Sequence, residues 1–184
     1  HNRYPTLWQR AAREVMEAAH PDGDWILLSR SGWLRTAQVS QGVWAGDQEA
    51  TWDSDDGLQT VIPAMVSLGL AGVGYVTHDV AGFSGGPSTK ELFQRWTELA
   101  AFTPIFRTHE GLRRGENWRW DRDAETRDHF VRFARVHRAL APEWMRLGAE
   151  HRATGMPIVR AMGLAFPGDR AGYGLRDQYM LGDA

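Results

Sequence analysis

The sequence predicts an α/β fold built on a parallel sheet, in about four strand–helix units, the rhythm of half an eight-stranded barrel. Three observations carry that expectation. Stretches with helical periodicity alternate with apolar runs of only three to five residues. Each short run ends in a polar or charged residue, where strand gives way to turn. No internal repeat or low-complexity linker interrupts the alternation. Helices that alternate with short buried strands imply a parallel sheet with covering helices.

Tyr4 to Ala19 reads as a helix, with Leu7, Ala11, Val15 and Ala18 at helical spacing and Pro5 suited to its first turn. His20-Pro21-Asp22-Gly23 ends it as a turn. Trp25-Ile26-Leu27-Leu28 is the first strand and closes on Ser29-Arg30-Ser31-Gly32. Val43-Trp44-Ala45 is the second; it breaks at Gly46 and delivers Asp47 just past its end. Ser54-Asp55-Asp56-Gly57 offers caps to a helix from about Leu58 to Leu68, stopped by Gly69 and Gly72.

Val73-Gly74-Tyr75-Val76 is the third strand, leading into Thr77-His78-Asp79. After the loop Gly82 to Pro87, Ser88 is placed to cap a helix running to about Ala101. Asp123 to Leu140 is amphipathic, with Phe130, Phe133, Val136 and Leu140 on one stripe. Pro142 to Arg152 is a further helix, and Met156-Pro157-Ile158-Val159-Arg160 is read as the fourth strand.

Composition narrows the function classes. The 184 residues carry a formal net charge of -2, so no strong field invites nucleic acid or an acidic membrane surface. No stretch reaches the roughly 20 apolar residues of a membrane span, and no signal peptide is visible. Cysteine is absent, which removes disulfides and thiolate metal sites and fits a reducing, cytoplasmic compartment. There are nine tryptophans; such rings stack on sugar faces, although filling a core is their commoner use. The chain opens at His1 and stops just after Tyr179-Met180-Leu181, so a fragment of a longer protein is expected.

In parallel α/β folds the loops at the carboxyl ends of strands converge on one face. The polar residues delivered there are Arg30, then Trp44 and Asp47, then His78 and Asp79, with Arg107 and His109 following the third helix. A carboxyl partly shielded by an indole can hold a proton for delivery as an acid. Alternatively Asp47 merely caps the next helix. Carboxylates accept from vicinal hydroxyls, arginine donates in a fork and aromatic rings stack, which together suits a polyhydroxylated substrate. No His pair at i, i+4 with a partner carboxylate and no His-x-His occurs, so no metal site is expected.

Trp44-Ala45-Gly46-Asp47-Gln48, His78-Asp79-Val80-Ala81-Gly82-Phe83, Arg95-Trp96 and the run from Phe102-Thr103-Pro104 to Arg107-Thr108-His109-Glu110-Gly111 resemble glycoside hydrolase family 31. His1-Asn2-Arg3-Tyr4-Pro5 and Asp177 to Asp183 are similar to its flanking segments, so the resemblance runs over essentially the whole chain. It implies a retaining α-glycosidase on a (β/α)8 TIM barrel within a larger multidomain enzyme, with no cofactor. Residues 1–176 would be the C-terminal half of that barrel and residues 177–184 the start of a following β domain.

By the resemblance, Asp47 corresponds to the general acid/base, Arg30 to a substrate-binding arginine and Trp44 to a tryptophan lining the sugar site. Asp79, Phe83 and His109 correspond to positions lining the first sugar subsite, and Arg107 lies in the same motif. His78 matches less closely and could be a packed histidine. The nucleophile of the family lies upstream of His1. Trp-Ala-Gly-Asp-Gln and Arg-Thr-His-Glu-Gly are especially similar to the sulfoquinovosidase branch, which places a tyrosine where this chain has Phe83. Phe83 is what neutral-sugar members carry, so a neutral α-glucoside or α-xyloside is expected. A barrel that binds sugar without cleaving it is the alternative of another class.

Overall fold

The computed structural model describes residues 2–184; His1, which the resemblance used, lies outside the described residues. Helix α1 (Tyr4–Ala19) comes first, with its proline in the first turn as expected. Strands β1 (Leu28–Ser29), β2 (Gly42–Trp44) and β3 (Tyr75–Thr77) follow, with α2 (Val61–Leu70) between the last two. A 3-10 turn at Leu58–Thr60 leads into α2. The three strands form one parallel sheet in the order β1-β2-β3, pairing Ser29 with Val43 and Val43 with Val76. Gly42 sits at the centre of this sheet because a Cβ there would meet Leu28 Cδ2 at 2.6 Å and the Tyr75 carbonyl at 2.9 Å.

Helices α3 (Lys90–Ala100), α4 (Ala124–Ala139) and α5 (Ala141–Thr154) complete the helical layer. Strands β4 (Val159–Arg160) and β5 (Met180–Leu181) come last, with the short helix α6 (Met162–Ala165) between them. The core lies between the parallel sheet and the helices: Val43, Val76 and Val80 pack with Met65 of α2 and with Leu92, Phe93 and Trp96 of α3. A smaller cluster joins Trp144 and Leu147 of α5 to Ile158.

Several expectations are corrected. The first strand is Leu28–Ser29, with Trp25–Leu27 outside it, and Gly69 lies inside α2, which runs on to Leu70. The run Met156–Arg160 is not a fourth parallel strand; β4 pairs antiparallel with β5, Val159 opposite Leu181 and Arg160 opposite Met180. Arg160 is buried there, donating to the Pro157 carbonyl and pairing with Glu150 and Asp183. An apolar run of this length carries no sign of the direction of its partner. The place beside β3 goes instead to Ile105–Thr108, read from sequence as loop, which runs parallel to it through the bridges Thr77–Ile105 and Val80–Thr108.

The cap of α3 is Thr89, whose hydroxyl accepts from the Leu92 N–H, rather than Ser88. The Ser88 hydroxyl is taken by the Trp118 N–H at 2.9 Å, while the Ser88 N–H donates to Asn117 Oδ1 at 3.0 Å. The apolar stripe of α1 faces outward as well. Leu7 and Val15 are exposed, and the helix's one buried residue is Gln9, whose amide donates to the Ser31 carbonyl at 2.6 Å. Lys90, the sole lysine, bridges Asp123 at 2.9 Å and Glu125 at 2.7 Å and so ties the start of α3 to the start of α4.

Candidate functional site

The polar residues expected at the strand ends gather at one end of the parallel sheet. Arg30 follows β1, Trp44 ends β2, and Asp47 comes three residues later, past Gly46 at φ 114°. Arg30 Nη2 donates to Asp47 Oδ2 at 3.3 Å, and the same guanidinium lies 5.0 Å from the Trp44 ring centroid. A cation over an indole face is attracted by the ring quadrupole.

The loops after β2 and β3 are clamped together. The N–H groups of Phe83 and Ser84 both donate to the Gln48 carbonyl, at 2.7 and 3.1 Å, and the Ser84 hydroxyl donates to the Asp47 carbonyl at 2.8 Å. Gly82 permits this approach, because its φ is 83° and a Cβ would meet the backbone of Ala50 at 2.7 Å. Phe83 is thereby set edge-on to Trp44, with centroids 6.4 Å apart, and edge-on to His109 at 5.0 Å. The Gly111 N–H donates to His109 Nδ1 at 2.9 Å, so Nδ1 is the acceptor and Nε2 carries the ring proton, facing away from that turn.

Behind this rim sits an ion pair whose carboxylate is buried and whose guanidinium is partly exposed. Asp79 has no exposed side-chain surface, and its Oδ1 accepts from Arg107 Nε at 3.1 Å and also from Arg107 Nη2. Burial pushes the Asp79 carboxyl above the usual carboxylate range, while the hydrogen bonds and charge of Arg107 pull the other way. Asp79 Oδ2 and the Trp44 indole N–H have no partner among the described residues. The Arg107 guanidinium lies 5.4 Å from the Trp44 ring centroid, so two arginines share one indole.

His78 points away from the rim into the helical layer. Trp96 of α3 donates its indole N–H to His78 Nδ1 at 2.9 Å, which places the ring proton on Nε2. Burial, and then the nearby Arg107 charge, lower the His78 pKa to about 3, so the ring is neutral at ordinary pH. The motif Arg95-Trp96 gives no direct sign of this pairing in the sequence, which follows from Trp96 lying on the buried face of α3.

Asp47, Arg30, Trp44, Phe83, Arg107, Asp79 and His109 are thus linked by successive contacts, and His78 stands apart. The larger concavities lie elsewhere; one of about 440 Å³ runs between α2 and the segment around Met162, Tyr173 and Arg176. Among the described residues no group of three or more His, Asp or Glu could hold a metal ion. No helix among them is long and apolar enough to cross a membrane.

A strand-end cluster of carboxylates, arginines and aromatic rings on a parallel α/β sheet is the candidate functional site of this chain. Residues 1–147 match the model of the glycosyl hydrolases family 31 TIM-barrel domain, and the chain belongs to that family. It is 38% identical over 185 residues to the sulfoquinovosidase of Escherichia coli K12, a match covering 99% of this chain and 27% of that protein. Neutral alpha-glucosidase AB of Sus scrofa is 36% identical over 160 residues, covering 86% of this chain and 16% of that protein. The structure superposes with a TM-score of 0.95 on a family 31 sulfoquinovosidase from E. rectale solved with an aza-sugar inhibitor, at 33% identity, over 99% of this chain and 28% of that one. The chain therefore spans little more than a quarter of the length of its sulfoquinovosidase relatives.

Proposed function

We propose that this chain is the second half of the catalytic barrel of a retaining α-glycoside hydrolase, acting on a neutral α-glucoside or α-xyloside. The observation that carries this reading is the setting of Asp47, a partly exposed carboxylate at the carboxyl end of the parallel sheet, held by Arg30 and standing beyond Trp44. There it would protonate the leaving oxygen and later activate water. Retention needs a second carboxyl about 5–5.5 Å away to attack the anomeric carbon. The resemblance puts that group in sequence outside residues 1–184, and the share of the relatives that this chain covers is compatible with that. On this reading residues 1–176 belong to the barrel and residues 177–184 open the β unit that follows, with β5 pairing back onto β4 across that boundary.

Arg30 would donate in a fork to sugar hydroxyls, and His109 would donate through Nε2. Trp44 and Phe83 would wall the ring, with Arg107 and Asp79 at the back of the same subsite. Phe83 presents an apolar edge with no donor, which favours an uncharged substituent over a sulfonate. The sulfoquinovoside reading is the second choice, and the similarity to the E. coli and E. rectale sulfoquinovosidases supports it. A barrel that binds sugar without hydrolysing it is the reading of another class.

One experiment separates catalysis from binding. In the complete enzyme, Asp47→Ala should slow glycosides with poor leaving groups by about 10²–10⁴-fold and activated aryl glycosides far less. Added azide should restore turnover of the glycosyl intermediate and yield an α-glycosyl azide, with the configuration of the substrate retained. Equal, wild-type rates on both leaving-group classes would remove Asp47 from the role.

A further inference from the structure

We propose that Arg107 is a positioning residue for proton delivery: anchored on buried Asp79, it holds the Trp44 ring, and through that ring the Arg30 guanidinium, at Asp47. This rests on Asp47 acting as the acid, as proposed above. The contacts form a chain across three strand ends. Arg107, on the segment beside β3, donates through Nε and Nη2 to the same oxygen of Asp79. Its backbone is tied to β3's end as well, because the Val80 N–H donates to the Arg107 carbonyl. The guanidinium then lies 5.4 Å from the Trp44 centroid, the Arg30 guanidinium lies 5.0 Å from the same centroid, and Arg30 reaches Asp47.

Two features make the ring the link. No group among the described residues hydrogen-bonds the Trp44 indole N–H, so the ring's orientation depends on what packs against it: Arg30, Arg107 and Phe83. Arg30 is 58% exposed and makes one long hydrogen bond to Asp47, which is a loose tether for a long side chain. The indole face supplies the remaining constraint, and Arg107 is the best-anchored group touching that indole. Asp79, with no exposed surface, is joined to the rim through Arg107.

Arg107→Lys tests this in the complete enzyme. Lysine keeps a charge for Asp79 but loses the planar guanidinium that lies against the ring. On an alkyl glycoside, kcat should fall about 10- to 100-fold; on an activated aryl glycoside the loss should be under about 3-fold, with KM within about 2-fold in both cases. Equal losses on both substrates would mean a general structural role and overturn the proposal; a rise in KM alone would mean direct sugar contact and overturn it too. If Arg107→Lys does not fold, Asp79→Asn, which keeps the shape and weakens the anchor, should give the same leaving-group split in smaller size, and a flat response would overturn the proposal. Wild type and Asp47→Ala run alongside. Should Asp47→Ala show the split and Arg107→Lys not, only the role of Arg107 fails; should wild type release no sugar, the glycosidase reading itself fails.

Discussion

Arg30 and Asp47 meet at 3.3 Å across the ends of two adjacent parallel strands, and both side chains keep solvent contact, 58% and 39% exposed. A pair in that setting contributes about 0–1 kcal/mol to folding. Its value lies in what it presents to a ligand. Arg30→Ala in the complete enzyme should leave the melting temperature within a few degrees of wild type while kcat/KM falls about 100-fold. A large loss of stability at unchanged kcat/KM would make the pair structural instead.

On the proposed reading, specificity turns on Phe83, whose ring stands between Trp44 and His109 without a hydroxyl. The complete enzyme should show a higher kcat/KM for an aryl α-glucoside or α-xyloside than for the aryl α-sulfoquinovoside. Side-by-side kinetics check this, and a large preference for the sulfonated sugar would refute it. Phe83→Tyr should then raise activity on the sulfonated substrate by about 10- to 150-fold, the worth of one added hydrogen bond to a charged group.

Much of this arrangement was legible in the sequence, for identifiable reasons. Apolar runs broken by Gly46 or capped by Asp123 mark element ends through local chemistry, and α1, β2, β3 and α4 lie close to where those signals put them. Asp47, Arg30 and Trp44 could be grouped because strand ends of a parallel sheet share one face. What local pattern cannot encode is partner choice. Ile105–Thr108 looks like loop because its place beside β3 rests on isolated bridges, and Val159–Arg160 shows no sign that it pairs backwards with Met180–Leu181. The outward stripe of α1 misleads for the same reason: periodicity finds the apolar face but not which surface covers it.

The buried His78–Trp96 pair makes stability depend on pH. With a folded pKa of about 3 against 6.5 for the free side chain, the folded state refuses a proton that the unfolded chain takes up. The folded value is the depressed one, so this stabilising contribution is complete above about pH 6.5 and is lost progressively as pH falls toward 3. From pH 7 to pH 5 this group alone should cost about 2 kcal/mol. Urea melts of the complete protein at both pH values check it, with His78→Gln as control. That variant should be less stable at pH 7 but lose less between pH 7 and 5, and an unchanged slope would count against the assignment.

The last prediction concerns residues 1–184 expressed as a separate polypeptide. Tyr4, Leu7, Trp8 and Val15 of α1 are exposed, and so are Leu28 of β1 and Trp33 and Leu34 just beyond it. Strand β1 pairs with β2 alone among the described residues, which leaves one edge of the parallel sheet open. Each large apolar side chain left in water forgoes about 1.5–3 kcal/mol of burial. Several such losses rival the roughly 5–15 kcal/mol by which whole domains are stable. An open strand edge beside exposed apolar surface also templates pairing with other chains. This polypeptide should therefore elute above its monomer mass on size exclusion, melt without a sharp cooperative transition, and release no sugar from an aryl α-glucoside. Substituting Leu7, Trp8 and Val15 together with polar residues should shift elution toward monomer if the α1 face drives association. A cooperative melt from a wild-type monomer would overturn the stability argument, and retaining turnover would show that both carboxyl groups of the reaction lie within these residues.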